Sequence, residues 1–348
     1  MSTPISTQIQ LAARPEGWPT HDDFRTVTVP LGQLEAGQVR VRNEFVSVDP
    51  YMRGRMNDVR SYVAPYQLGE TITGGAIGRV ITSEASELPV DTLVLHQHGW
   101  SDVVQDTAAT FRAVPDLPGV SSSLRLHILG MTGLTAYVGL TAIANLHPGE
   151  TVFVSGAAGA VGTAVGQIAK LLGAGRVIGS AGSDEKVALL TEKYGYDAAF
   201  NYKNGDVRGQ LAQATPEGID VFFDNVGGDH LEAALDAFND GGRAALCGAI
   251  AGYNTTERAP GPDNLANIIT RALTLKGFTL AAYLHLGAEF QEKINPWFAA
   301  GKIAYDETIV DGIDHTVDAF LDMMRGANTG KMLVRIPADT ESESEADA

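Results

Sequence analysis

Cysteine is almost absent from this 348-residue chain, where Cys247 stands alone. One thiol excludes an internal disulfide and any multi-cysteine zinc or iron–sulfur site, and it suits a reducing cytoplasm. Basic residues are also scarce. Lysine and arginine total 25 against 42 aspartates and glutamates, and the net charge of −17 argues against nucleic acid and anionic membranes as partners. No apolar run reaches the roughly 18 residues of a membrane helix. The start, MSTPISTQIQ, lacks the charged and apolar regions of a signal peptide, so none is expected. Disorder is excluded for most of the chain by its 44% hydrophobic content. Residues 339–348 are the exception, an acidic low-complexity end expected to be disordered.

The length exceeds what one hydrophobic core usually carries, so two domains are expected. Residues 1–124 set short β-like runs, such as 38–48 and 76–83, between Gly, Pro and Asp. That texture predicts an irregular, mostly β domain. A helix is predicted over 124–146, stopped at His147-Pro148-Gly149. Strands are then predicted at 151–155, 176–181, 198–202, 220–224, 243–247 and 274–280, with helices at 160–172, 183–194 and 229–238 between them. Repeated units of this length imply an α/β fold, a doubly wound parallel sheet covered on both faces. It would occupy 125–310. Residues 311–338 are expected to return to the first domain, with a helix at 316–325 and a strand at 331–336.

Between the first strand and its helix runs Ser155-Gly156-Ala157-Ala158-Gly159-Ala160-Val161-Gly162. A dinucleotide pyrophosphate needs such a turn, nearly free of side chains, so that backbone N–H groups and a helix N-terminus can approach it. Ala157 holds the place often filled by the first glycine, Gly159 the close-approach position, and Gly162 the helix-to-strand contact. The strand before and the helix after supply the required context. An NAD site usually ends its second strand in an acid that holds the ribose hydroxyls. Here that strand ends in Ala181-Gly182-Ser183, with Lys186 just beyond and Tyr202 closing the next strand. Small residues leave room for a 2′-phosphate, Lys186 supplies its counter-charge, and the Tyr202 hydroxyl can donate to it. Asp184 would repel that phosphate only if it pointed inward. NADP is therefore the expected cofactor.

These segments, with Asn201-Tyr202-Lys203, Asp224-Asn225-Val226-Gly227-Gly228 and Cys247-Gly248-Ala249-Ile250, resemble the zinc-free medium-chain dehydrogenases/reductases. Within them, the chain resembles the group of prostaglandin reductases/leukotriene dehydrogenases and alkenal double-bond reductases, with curcumin reductase-like bacterial members. Val48-Asp49-Pro50-Tyr51-Met52-Arg53 and Gly330-Lys331-Met332 are similar as well. The resemblance implies a GroES-like β domain against the Rossmann domain, an active site in the cleft, and a homodimer. It further implies NADPH contacts at Ala157, Ala158, Gly159, Ala160, Lys186, Tyr202, Asn225, the Cys247–Tyr253 segment, Phe278, Thr279, Leu280 and Asn328.

Zinc-dependent relatives use a cysteine, a His-Glu pair and a further ligand, whereas here Leu68-Gly69-Glu70 has leucine where that histidine would stand. The eight histidines show no ligand spacing, and His96 and His98 are expected on opposite strand faces, so no metal is expected. Without a metal to polarise a carbonyl, oxidising a simple alcohol is difficult and reducing an enone is easier. Hydride addition at the β-carbon develops negative charge on the carbonyl oxygen, which needs a donor. The resemblance points to Tyr253 as that donor, with Tyr51 lining the cleft. Cys247 is expected to pack beside the nicotinamide rather than react. Residues 259–264, with two prolines, read as a mobile loop bordering the substrate entrance. The expected activity is NADPH-dependent reduction of the carbon–carbon double bond of α,β-unsaturated ketones or aldehydes. Quinone reduction, or NADPH binding without turnover, are the alternatives.

Overall fold

A computed structural model describes residues 3–257 and 260–337. The acidic end at 339–348 lies outside the described residues, as do Ala338 and the first residue of the 259–264 loop. Six parallel strands form one sheet in the spatial order Ala198–Asn201, Arg176–Ala181, Thr151–Val154, Ile219–Asp224, Phe238–Leu246 and Thr274–Gly277. By sequence this is third, second, first, fourth, fifth, sixth, the doubly wound order in which direction reverses between the first and fourth strands. Both faces are buried, which explains why the strands read as continuous apolar runs. Phe153 and Phe222 stack at 5.0 Å on one face, with Phe200 5.9 Å from Phe153. Val152, Val154, Val221 and Phe223 pack on the other face, beneath the helix Ala160–Leu171. Emptying one such phenyl site, as in Phe222→Ala, costs about 3–5 kcal/mol.

The second large sheet is mostly antiparallel and orders Glu307–Asp311, Lys331–Arg335, Gln38–Ser47, Ala76–Ser83, Leu93–His96 and Arg112–Ala113. The C-terminal part of the chain thus adds two strands to the N-terminal domain, and Glu307–Asp311 straddles the expected crossing at 310. Lys331 is buried there and is neutralised by Asp49 at 3.1 Å, while its ammonium also donates to the Val48 carbonyl at 2.7 Å.

Two expectations need correction. The helix over 124–146 is broken into a short 3₁₀ turn at Ser122–Arg125, an α-helix Met131–Val138 and a π-helical turn Gly139–Ile143. Gly130, at φ −127° and ψ −136°, stands outside the helical region and interrupts it. His96 and His98 do not diverge. Their rings lie 5.3 Å apart and both pack on Phe111, because residues two apart in an extended chain share a face. The His96 Nε2 is paired with Asn43 at 2.7 Å, and burial lowers its pKa to about 3, so it is a neutral core histidine.

Candidate active site

The first and fourth strands end side by side at the reversal point, where open α/β sheets bind their ligands. The Ser155 hydroxyl donates to Asp224 Oδ1 at 2.8 Å, and that oxygen also accepts the N–H groups of Val226 and Gly227, each at 2.9 Å. Asn225 donates its backbone N–H to the Ser155 hydroxyl and its side-chain amide to the Ser155 carbonyl. Burial raises the Asp224 pKa, and these three donors act against that rise. The carboxylate thereby holds two loops in one frame.

On that frame the glycine-rich turn is tight. A side chain at Gly162 would come within 2.5 Å of the Gly156 carbonyl and 2.6 Å of Ala157, so only glycine lets the helix sit this close to the strand. At Gly159 an added Cβ would meet only the Gly156 carbonyl, at 3.4 Å, so the turn's outer side stays open to a ligand. Ala157 and Ala158 are buried, and Ala160 with Val161 opens the helix. The C-terminal segment closes over this turn: the Gly330 N–H donates to the Ala158 carbonyl at 2.9 Å, and the Asn328 amide holds the Gly330 carbonyl at 2.8 Å.

Farther along the sheet edge, Ser183 caps the helix Asp184–Glu192 by accepting the Lys186 N–H. The Tyr202 ring lies on Gly182, its hydroxyl 3.0 Å from where a Cβ would stand. Tyr202 opens a 3₁₀ turn rather than ending the strand, which stops at Asn201. Among the described residues Lys186 has no carboxylate partner; its ammonium donates to the Gly326 carbonyl at 2.7 Å. Burial and then the neighbouring Lys203 lower its pKa. Asp184 is exposed and accepts the side-chain amides of Asn201 and Asn204, at 2.8 and 2.9 Å, so it does not face this corner. Two cations, a serine and a tyrosine with no inward acid fit a 2′-phosphate, and the open turn fits a pyrophosphate. Sequence reasoning missed Lys203 as the second cation, although it follows Tyr202 directly.

At the other end of the cleft is a cavity of about 150 Å³ lined by Tyr51, Arg55, Ser61, Tyr62, Val63 and Tyr253. Tyr51 opens the short helix Tyr51–Arg55, and Tyr253 follows a 3₁₀ turn at Ile250–Gly252 beyond the fifth parallel strand. The Tyr253 oxygen accepts the Ala249 N–H at 3.4 Å, which leaves its own proton free to donate. Burial raises the pKa of Tyr51, Tyr62 and Tyr253, so all three hydroxyls keep their protons at neutral pH. Tyr62 was missed in the sequence because its stretch, 61–66, has no period to mark it.

Between the two ends lie the remaining predicted residues. Cys247 and Gly248 both donate N–H groups to the Asp224 carbonyl, at 2.8 and 3.0 Å, and Ile250 bonds the Asn225 carbonyl at 3.4 Å. Burial, with Asp224 nearby, pushes the Cys247 thiol up to about 12, so it is no nucleophile at neutral pH. Phe278 stands edge-on to Phe223, 6.3 Å away, and Thr279 leads into the turn Leu280–Leu286. Among the described residues no group of three or more His, Cys, Asp or Glu side chains is placed to hold a metal ion.

A parallel sheet with this phosphate corner, facing a hydroxyl-lined cavity on a β domain, defines an NADP-dependent oxidoreductase. Residues 7–114 match the family described as the N-terminal domain of oxidoreductase, and residues 160–299 match zinc-binding dehydrogenase. The putative NADP-dependent oxidoreductase YfmJ of Bacillus subtilis is 43% identical over 96% of this chain and 98% of its own. The NADPH-dependent curcumin reductase of Escherichia coli is 39% identical over 94% of this chain and 96% of its own. CurA from Vibrio vulnificus in complex with NADPH superposes with a TM-score of 0.90 at 37% identity, covering 95% and 99% of the two chains. This chain belongs to the zinc-free medium-chain dehydrogenases/reductases, in the group of curcumin, 2-alkenal and prostaglandin reductases.

Proposed function

We propose that the protein reduces the carbon–carbon double bond of α,β-unsaturated ketones or aldehydes. The observation that carries this reading is Tyr253, a neutral hydroxyl with a free proton in the wall of the cavity. When bound, NADPH supplies the hydride that goes to the β-carbon. The protein holds its diphosphate at residues 157–162 and its 2′-phosphate with Ser183, Lys186, Lys203 and Tyr202. The cavity seats the substrate carbonyl against Tyr253, whose O–H stabilises the charge that gathers on oxygen. Tyr51 and Tyr62 offer further donors, and the α-carbon takes its proton from solvent or from a hydroxyl, which completes the saturated product. The substrates named for two relatives, curcumin and 2-alkenals, are conjugated carbonyl compounds and support the same reading.

A cytoplasmic homodimer belongs to this reading. The lone cysteine suits the location. Among the described residues the strand Thr274–Gly277 is an edge of the parallel sheet, and the nearby Ile269 is 84% exposed, which suits contact with a second copy. The test of the activity is a cofactor-oxidation assay on a panel. Loss of NADPH absorbance is expected with a medium-chain 2-alkenal and not with simple quinones. Turnover of quinones alone would refute the reading, and so would NADPH binding with no turnover of either.

A further inference from the structure

We propose that Arg53 is a positioning residue, which fixes Tyr253 opposite Tyr51 by clamping Asn254 across the cleft. The inference rests on the reading of Tyr253 as the donor to the substrate oxygen. Arg53 is only 3% exposed, and among the described residues no carboxylate is paired with it. Burial lowers the pKa of its guanidinium, and the charge of Asp23 acts against that fall. A charge so placed is tolerated only when its donors are satisfied. They are satisfied from three directions. Nε donates to Asn254 Oδ1 at 3.0 Å, one terminal nitrogen to Asn57 Oδ1 at 2.7 Å, and the other to the carbonyls of Gly17 at 2.8 Å and Pro15 at 3.3 Å.

Those acceptors belong to the N-terminal segment, to the residues after the helix that Tyr51 opens, and to the loop that carries Tyr253. The last of these comes from the other domain. Among the described residues, the Arg53–Asn254 bond is the one hydrogen bond that ties residues 253–257 to the far side of the cleft. Among the described residues, the other bonds made by that stretch stay within 249–257. Gly17 packs on the same loop, since an added Cβ would touch Thr256 at 3.2 Å. A planar guanidinium fork fixes all of these angles at once, which the flexible ammonium of lysine does not. The separation of Tyr51 and Tyr253, and so the width of the cavity, is set by this fork.

Kinetics of Asn254→Ala and Arg53→Lys, each alone and combined with Tyr253→Phe, test the clamp. Asn254 lies in an exposed loop, so its variant keeps the fold if Arg53→Lys does not. Asn254→Ala is expected to lower kcat on an alkenal about 10-fold to 100-fold, the scale of a misplaced group. The dissociation constant for NADPH should not move, and the melting temperature should fall by no more than the loss of one buried hydrogen bond allows. Arg53→Lys should not rescue turnover, and adding Asn254→Ala to Tyr253→Phe should cost nothing further. A loss from Tyr253→Phe with an independent, multiplicative loss from Asn254→Ala would overturn the clamp alone. A silent Tyr253→Phe would overturn the donor reading and the clamp with it, and an unchanged kcat in Asn254→Ala would overturn the clamp.

Discussion

The glycine-rich turn and the tyrosine-lined cavity are built from different materials. At the turn, backbone groups and short side chains from two adjacent strand ends converge on one buried carboxylate, Asp224. At the cavity, long side chains from residues 51–63 meet a loop two hundred positions away, and Arg53 bridges them. The turn is fixed by the sheet itself and tolerates almost no added volume. The cavity is bounded by side chains, with the Arg53–Asn254 hydrogen bond joining its two sides.

Substitutions at each end should break different functions. Gly162→Val forces a branched side chain into the 2.5 Å approach to Gly156 and should weaken NADPH binding at least about 100-fold, read by fluorescence titration. Lys186→Ala removes a charge-assisted contact and should raise KM for NADPH on the order of 10-fold to 100-fold, with little change for NADH. Equal effects on the two cofactors would refute the phosphate corner. Lys203→Ala should act in the same sense and more weakly. At the cavity, Tyr253→Phe should lower kcat by about one to two orders of magnitude while KM for NADPH stays put.

The two ends should also part on pH. His230 packs on Tyr202, 5.2 Å away at the nucleotide end, and burial lowers its pKa to about 4. It is neutral when folded and takes up a proton on unfolding below about 6.5. Its contribution to stability is therefore full above that pH and lost as pH falls from about 6.5 towards 4, roughly 2 kcal/mol by pH 5. Chemical denaturation of the protein and of His230→Gln at both pH values measures it. A smaller loss in the variant is expected. The tyrosines move the other way, since their pKa values are raised. The smallest effect is thus none at all: kcat should show no basic limb from Tyr253 between pH 7 and 9.

How much could be read beforehand follows the same division. The turn at 155–162, the small residues at 182–183 and Lys186 lie in continuous segments, so the expectation of NADP could be written from the sequence. Strand placement was legible too, because buried parallel strands announce themselves as apolar runs. Arg53 and Tyr62 were not, since their meaning depends on which distant loop packs against them. The Tyr51-Met52-Arg53 segment marked a family resemblance, but nothing in it says that the guanidinium reaches Asn254. The broken helix at 122–143 hid behind an apolar stretch that reads the same whether its turns are α, 3₁₀ or π, and only the backbone at Gly130 separates them.

Product identification on a conjugated aryl ketone, such as 4-phenyl-3-buten-2-one, is the most direct measurement of what this cleft does. One equivalent of NADPH should be consumed per substrate and the saturated ketone recovered, with its carbonyl intact. Recovery of the allylic alcohol, or of unchanged enone from an enzyme that binds NADPH and turns over quinones, would contradict it.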